Sequence, residues 1–151
     1  MAPNRGDSAV RTALLCIAAL TLASCQSEPK IVGEEATRVL EQCIMADTLT
    51  IMDNETRRSN GGVYTPEMVD RIDDAIATCR LVGRIDKSQV SVSVRPCLDV
   101  YAIKADVYEA AKPIVLDGTA TEAEKATLNK HLDRMSRAQR QCESPAPTHI
   151  A

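Results

Sequence analysis

Apolar side chains recur in steps of three and four from Glu34 onward, at Ala36, Val39, Leu40, Cys43 and Ile44, with Arg38, Glu41 and Asp47 between and beyond them. That spacing lines one side of a helix and predicts a first helix from Glu34 to near Arg57, ahead of the turn-forming SNGG. Thr65 and Pro66 supply an N-cap and a first-turn proline for a second helix, whose apolar face is marked by Met68, Val69, Ile72, Ala75, Ile76, Cys79 and Val82. A third helix is predicted from about Pro96 through Cys97, Val100, Ile103, Val107 and Ala111, with Pro113 expected to kink or stop it and Asp117-Gly118 to end the segment. Thr121 and Glu124 form a capping-box pattern that opens a fourth, continuing through Leu128, Leu132, Met135, Ala138 and Cys142.

Only the VSVSV run at 90–94 alternates as a half-buried strand would, and no second strand pattern exists to pair with it, so it is predicted to be an extended linker. The fold class expected is therefore all-α: an antiparallel four-helix bundle, or two disulfide-stapled helical hairpins, spanning residues 34–143. The last residues, 144–151, are expected to be disordered.

The segment before the helices has a different grammar. Arg5 and Arg11 flank Asp7 in MAPNRGDSAVR, and TALLCIAALTLA follows without a charge. Twelve uncharged residues are too few for a membrane-spanning helix, which needs about 20, but suit the apolar region of an export signal. The run ends in Leu22, Ala23, Ser24 and Cys25, and the polar QSEPK begins immediately afterwards. This LASC box, placed after a charged start and an apolar run, resembles the lipobox of bacterial lipoproteins.

The resemblance implies that residues 1–24 are removed and that Cys25 is lipidated and becomes the first residue, with 25–33 as a lipidated tether. Cys16, preceded by two leucines, fits the box poorly and is expected to be lost with the signal. Gln26, where an aspartate would favour retention at the inner membrane of many Gram-negative bacteria, points to the periplasmic face of the outer membrane. Several acyl chains, at about 0.8 kcal/mol per buried methylene, hold far more firmly than one.

Cleavage before Cys25 leaves 127 residues, enough for one domain with its own core, and a formal charge of −4. That balance is no electrostatic footprint for nucleic acid. The chain has no Trp or Phe and only Tyr64, Tyr101 and Tyr108, so stacking platforms are scarce and the core must be aliphatic.

Four further cysteines remain, Cys43, Cys79, Cys97 and Cys142, none in a CxxC. In an exported chain they predict two structural disulfides. Cys43 and Cys79 each lie 18 residues from Gly61, and Cys97 and Cys142 are centred on the turn at Thr119 and Ala120. At about 1.5 Å per helical residue, the members of each pair are level across a hairpin. Pairing Cys79 with Cys97, which forces Cys43 onto Cys142, remains open at this stage.

Candidate chemistry is sparse. His131 and Asp133 are the one tempting pair, but residues two apart on a helix do not face each other. Asp73-Asp74 and Glu34-Glu35 sit near helix starts, where acidic side chains complement the helix dipole. Met45, Met52, Met68 and Met135 fall on or beside apolar faces and read as core filling. No hydrolase, phosphate-loop, zinc or calcium motif occurs, so no catalytic residue, metal or cofactor is predicted, and the protein is expected not to be an enzyme.

Lys130, Arg134 and Arg137 share one side of the fourth helix and form a possible contact for an acidic partner. The partners expected are a membrane, held through the lipid, and an unidentified periplasmic protein. By elimination the sequence reads as a protein-binding or structural accessory lipoprotein of the immunity, exclusion or envelope-assembly type. The alternative is a helical lipoprotein that holds a small ligand.

Overall fold

The computed structural model describes residues 28–144, and the protein is all-α. Helix α1 runs Gly33–Ser59, α2 Pro66–Val82, α3 Arg95–Asp117 and α4 Glu122–Glu143, with a 3-10 turn at Lys87–Gln89 between α2 and α3.

Helix ends follow local chemistry. In α1, Glu34 and Glu35 stand in the first turn and Arg57 and Arg58 in the last, each sign matched to the dipole end it faces. Thr65 Oγ1 accepts from the Met68 amide at 3.3 Å and Pro66 occupies the first turn of α2, so the missing proline N–H falls among donors that no helical carbonyl could reach. The capping box of α4 is complete: the Glu124 amide donates to Thr121 Oγ1 at 3.2 Å and the Thr121 amide donates to Glu124 Oε2 at 2.8 Å. That backbone donor holds the Glu124 carboxyl below its ordinary range.

Pro113 neither stops α3 nor ends the segment early. The helix continues through it to Asp117, leaving the Glu109 carbonyl without its usual amide partner, and closes where Gly118 takes φ +67° and donates to the Ile114 carbonyl at 3.1 Å.

Cys43 is joined to Cys79 and Cys97 to Cys142, with Cα separations of 4.7 and 4.8 Å, so each bridge staples one hairpin. Asp53 meets Arg71 two to three turns further from the first bridge, which fixes α1 and α2 as antiparallel. Lys112 on Asp73 and Arg80 on Glu109 do the same for α2 and α3, and Asp106 lies between His131 and Arg134 of α4.

Packing follows chain order. Each helix lies against the next, α1 touches α3 along a short stretch, and α4 packs almost wholly on α3. The apolar faces therefore do not close in a ring, and α1 and α4 stand at the two edges. The core is gathered around Cys43 and Cys79, with Val39, Val82, Ile85, Leu98 and Ala105, whereas α4 buries only Ala138.

Two expectations for the connecting segments need correction. Residues 25–33 were expected to form a tether outside the domain, yet Ile31 is buried and pairs in parallel with Ile85: its amide donates to the Arg84 carbonyl at 3.0 Å and its carbonyl accepts from Asp86 at 2.9 Å. Glu28 and the Pro29 carbonyl both meet Arg84, at 3.3 and 3.1 Å. Gly33, at φ +61°, then turns the chain into α1, a conformation any side chain would resist. The VSVSV run forms neither strand nor extended linker; after Val90 packs on the core it turns tightly, and the Ser91 carbonyl accepts from the amides of Val94 and Arg95 at the start of α3.

Candidate functional site

Cys25, the candidate lipidation site, lies outside the described residues, as do residues 145–151 of the expected tail. What the structure adds is the place from which the chain leaves toward Cys25. The Ile31–Ile85 pairing puts Glu28 at the pole that also holds the start of α1, the 3-10 turn, the start of α3 and the end of α4. Two residues, Gln26 and Ser27, separate Cys25 from Glu28, so the three Cα steps reach at most about 11 Å.

The basic stripe on α4 is real as geometry, but it is less uniform than its sequence. Lys130, Arg134 and Arg137 are all exposed. Arg134, however, donates to Asp106 Oδ2 at 3.1 Å and lies 3.3 Å from His131 Nδ1, itself 3.7 Å from the same carboxylate. Asp106 of α3 thus draws the stripe's central charge sideways. Arg134 and Arg137 line one wall of an open groove of about 390 Å³ whose opposite wall carries Asp99 and Asp106. Lys130 is not part of that groove. Walls of opposite charge suit an ionic contact with another polar surface better than an apolar ligand. His131 faces Asp106 across the helix pair and not Asp133, as its helical spacing requires.

A second polar cluster lies where α1 touches α3. Asp47 is only 6% exposed, and it accepts from Lys104 Nζ and, at 2.6 Å, from the Tyr108 hydroxyl. Burial, then the hydrogen bond to Asp47 and the nearby negative charge, raise the Tyr108 hydroxyl well above the ordinary tyrosine range. Every member of this cluster is used in satisfying the others, which reads as a structural lock between α1 and α3.

Met68 is buried and Met135 half-buried, as core methionines should be. Met45 and Met52 are not; they are 66% and 56% exposed, and with Ile44, Leu49 and Ile51 they form an apolar band on the outer side of α1. Met45, Leu49 and Met52, at steps of four and three, form one row, and Ile44 and Ile51, seven apart, form a second beside it. The band faces away from α2 and α3, and scattered single apolar residues do not account for five on one helix face.

Among the described residues no group of three or more His, Cys, Asp or Glu is placed to hold a metal ion, and no helix is long and apolar enough to cross a membrane. Comparison with protein-family models, with curated proteins and with solved structures finds no match to this chain. The functional reading rests on the chain's own chemistry.

Proposed function

We propose that this chain is a lipoprotein held at the periplasmic face of the outer membrane and that it works by binding another protein. The observation that carries the binding half is the apolar band of α1, Ile44, Met45, Leu49, Ile51 and Met52, left uncovered on an edge helix of a domain otherwise stapled by two disulfides. The LASC box supports the anchoring half, and the short reach from Cys25 to Glu28 keeps the domain against the membrane that holds it.

The basic stripe of α4 is an ionic second contact in this reading. It lies at the opposite edge from α1, so the two surfaces engage independently. The test is site-specific photo-crosslinking in intact cells from position 52 in α1 and from position 130 in α4. A discrete adduct from position 52 that disappears with Met45→Asp supports binding through the band. Adducts from position 130 alone would move the docking surface to α4, and none from either would remove protein binding as the function.

A further inference from the structure

We propose that the Cys97–Cys142 bridge is a thiol-exchange site, opened by a protein dithiol while Cys43–Cys79 stays intact, and that its opening releases α4. This goes beyond the docking reading and does not depend on it.

The two bridges differ in access. Cys43 and Cys79 are 0% exposed and the core is gathered around them, so an attacking sulfur reaches that bridge only after the core opens. Cys97 and Cys142 are half-buried. Both line an open groove of about 340 Å³ between α3 and α4, with Tyr101, Lys104 and Gln139 beside them. A reducing thiolate can therefore approach the second bridge in the folded protein.

Helix position sets the direction of attack. Cys97 is the third residue of α3, whose first turn has no acidic side chain, and the free amides there stabilise a thiolate. Cys142 is the last residue but one of α4, beside Glu143, where carbonyl dipoles and a carboxylate oppose one. The sulfur better able to carry negative charge departs faster. The incoming thiolate accordingly bonds to Cys142 Sγ, the Cys97–Cys142 bond breaks, and its electron pair leaves on Cys97 Sγ. The second thiolate of the dithiol then attacks the first sulfur of the same reductant, which releases Cys142 and leaves the reductant as a disulfide. Two electrons pass to this chain, and Cys97 and Cys142 take up the two protons that the dithiol loses.

The bridge is the main hold on α4. That helix buries only Ala138, and its Leu132 is 36% exposed, so few apolar contacts keep it on α3 once the covalent link is gone. Its other ties are surface contacts of Arg134 and His131 with Asp106, which contribute little. The groove with Asp99 and Asp106 on one wall and Arg134 and Arg137 on the other exists only while α4 is seated. Oxidised and reduced forms therefore present different surfaces.

The test uses the mature chain purified from the cell envelope into lipid nanodiscs, with reduced thioredoxin as the dithiol and glutathione as a monothiol that stops at the mixed disulfide. After quenching with N-ethylmaleimide, peptide masses should show Cys97–Cys142 opening at least about tenfold faster than Cys43–Cys79 with either reagent. Early in the glutathione reaction the adduct should stand on Cys142 and the alkylated thiol on Cys97. Hydrogen exchange across 122–143 should rise on reduction while α1 and α2 stay protected, and reoxidation should restore it. Cys97→Ser with Cys142→Ser should exchange fast across 122–143 with or without thiol.

Equal opening rates for the two bridges, opening of neither without denaturant, or unchanged exchange across 122–143 after reduction would overturn the proposal. So would opening by glutathione but not by thioredoxin, which removes the protein dithiol, or a first adduct on Cys97, which reverses the attack.

Discussion

Asp47 shows how one side chain can set the relation between two helices. Its carboxylate joins Lys104 and Tyr108 across the contact between α1 and α3, so removing it strands a half-buried ammonium and a half-buried hydroxyl together. Asp47→Ala should lower unfolding free energy by about 2 kcal/mol, because a half-buried ammonium and hydroxyl lose their shared acceptor. Tyr108→Phe, which removes one hydrogen bond, should cost about 1 kcal/mol. Denaturant titration measures both, and equal losses would mean that Lys104 finds another partner. The raised Tyr108 hydroxyl also predicts a pH effect. Its unfolded form ionises near pH 10 while the folded form stays protonated, so its contribution is intact below about pH 10 and declines as pH rises further. Wild-type should therefore lose more stability than Tyr108→Phe between about pH 10 and 11; parallel losses would refute the assignment. None of this was legible in the sequence, where Asp47 reads as part of a polar outer face. Its partners lie 57 and 61 residues away, and periodicity within one helix carries no information about them.

At the scale of elements the sequence was most informative where the chemistry is local. Thr65-Pro66, the Thr121–Glu124 box and Gly118 act within a few residues, and they place helix ends nearly where the structure has them. Level matching likewise found the disulfides, because two antiparallel helices joined by a short turn bring equidistant residues together. Periodicity failed on α1, which is apolar on two sides: Val39 and Cys43 face the core, while Met45 and Met52 face out. Which side is buried depends on how many neighbours the helix has, and an edge helix has too few to cover both. The edges also differ in what holds them. Removing Cys97–Cys142 by paired alanine substitutions should release α4, which buries only Ala138, and hydrogen exchange should rise across 122–143 with α1 and α2 still protected. Removing Cys43–Cys79 opens the centre of the core and should lower the melting temperature further, although the chain-entropy contributions, about 4 kcal/mol each, are similar. Uniform exchange after loss of Cys97–Cys142 would contradict this division.

For the whole molecule, the residues behind the expected signal and LASC box are contiguous and could be read directly, but the pole at which the described chain begins could not. It depends on Ile31 pairing with Ile85, two residues in different parts of the chain that look like ordinary linker positions. That pairing turns most of a nominal tether into structure and places the domain close to any anchor at Cys25. From the same arrangement, reversing Lys130, Arg134 and Arg137 to glutamate should weaken an ionic partner contact at low salt while hardly changing thermal stability, since exposed charges contribute little to folding. Loss of Arg134's pairing with Asp106 is the one expected structural cost. Unchanged affinity for a partner at low salt would reduce the stripe to a solvated face. The central claim, a docking domain held by lipid at Cys25, is tested most directly by the intact mass of the protein extracted from the cell envelope. The account predicts a chain beginning at Cys25, carrying acyl groups and lacking every peptide from residues 1–24. A soluble mature chain that starts elsewhere and carries no lipid would contradict it.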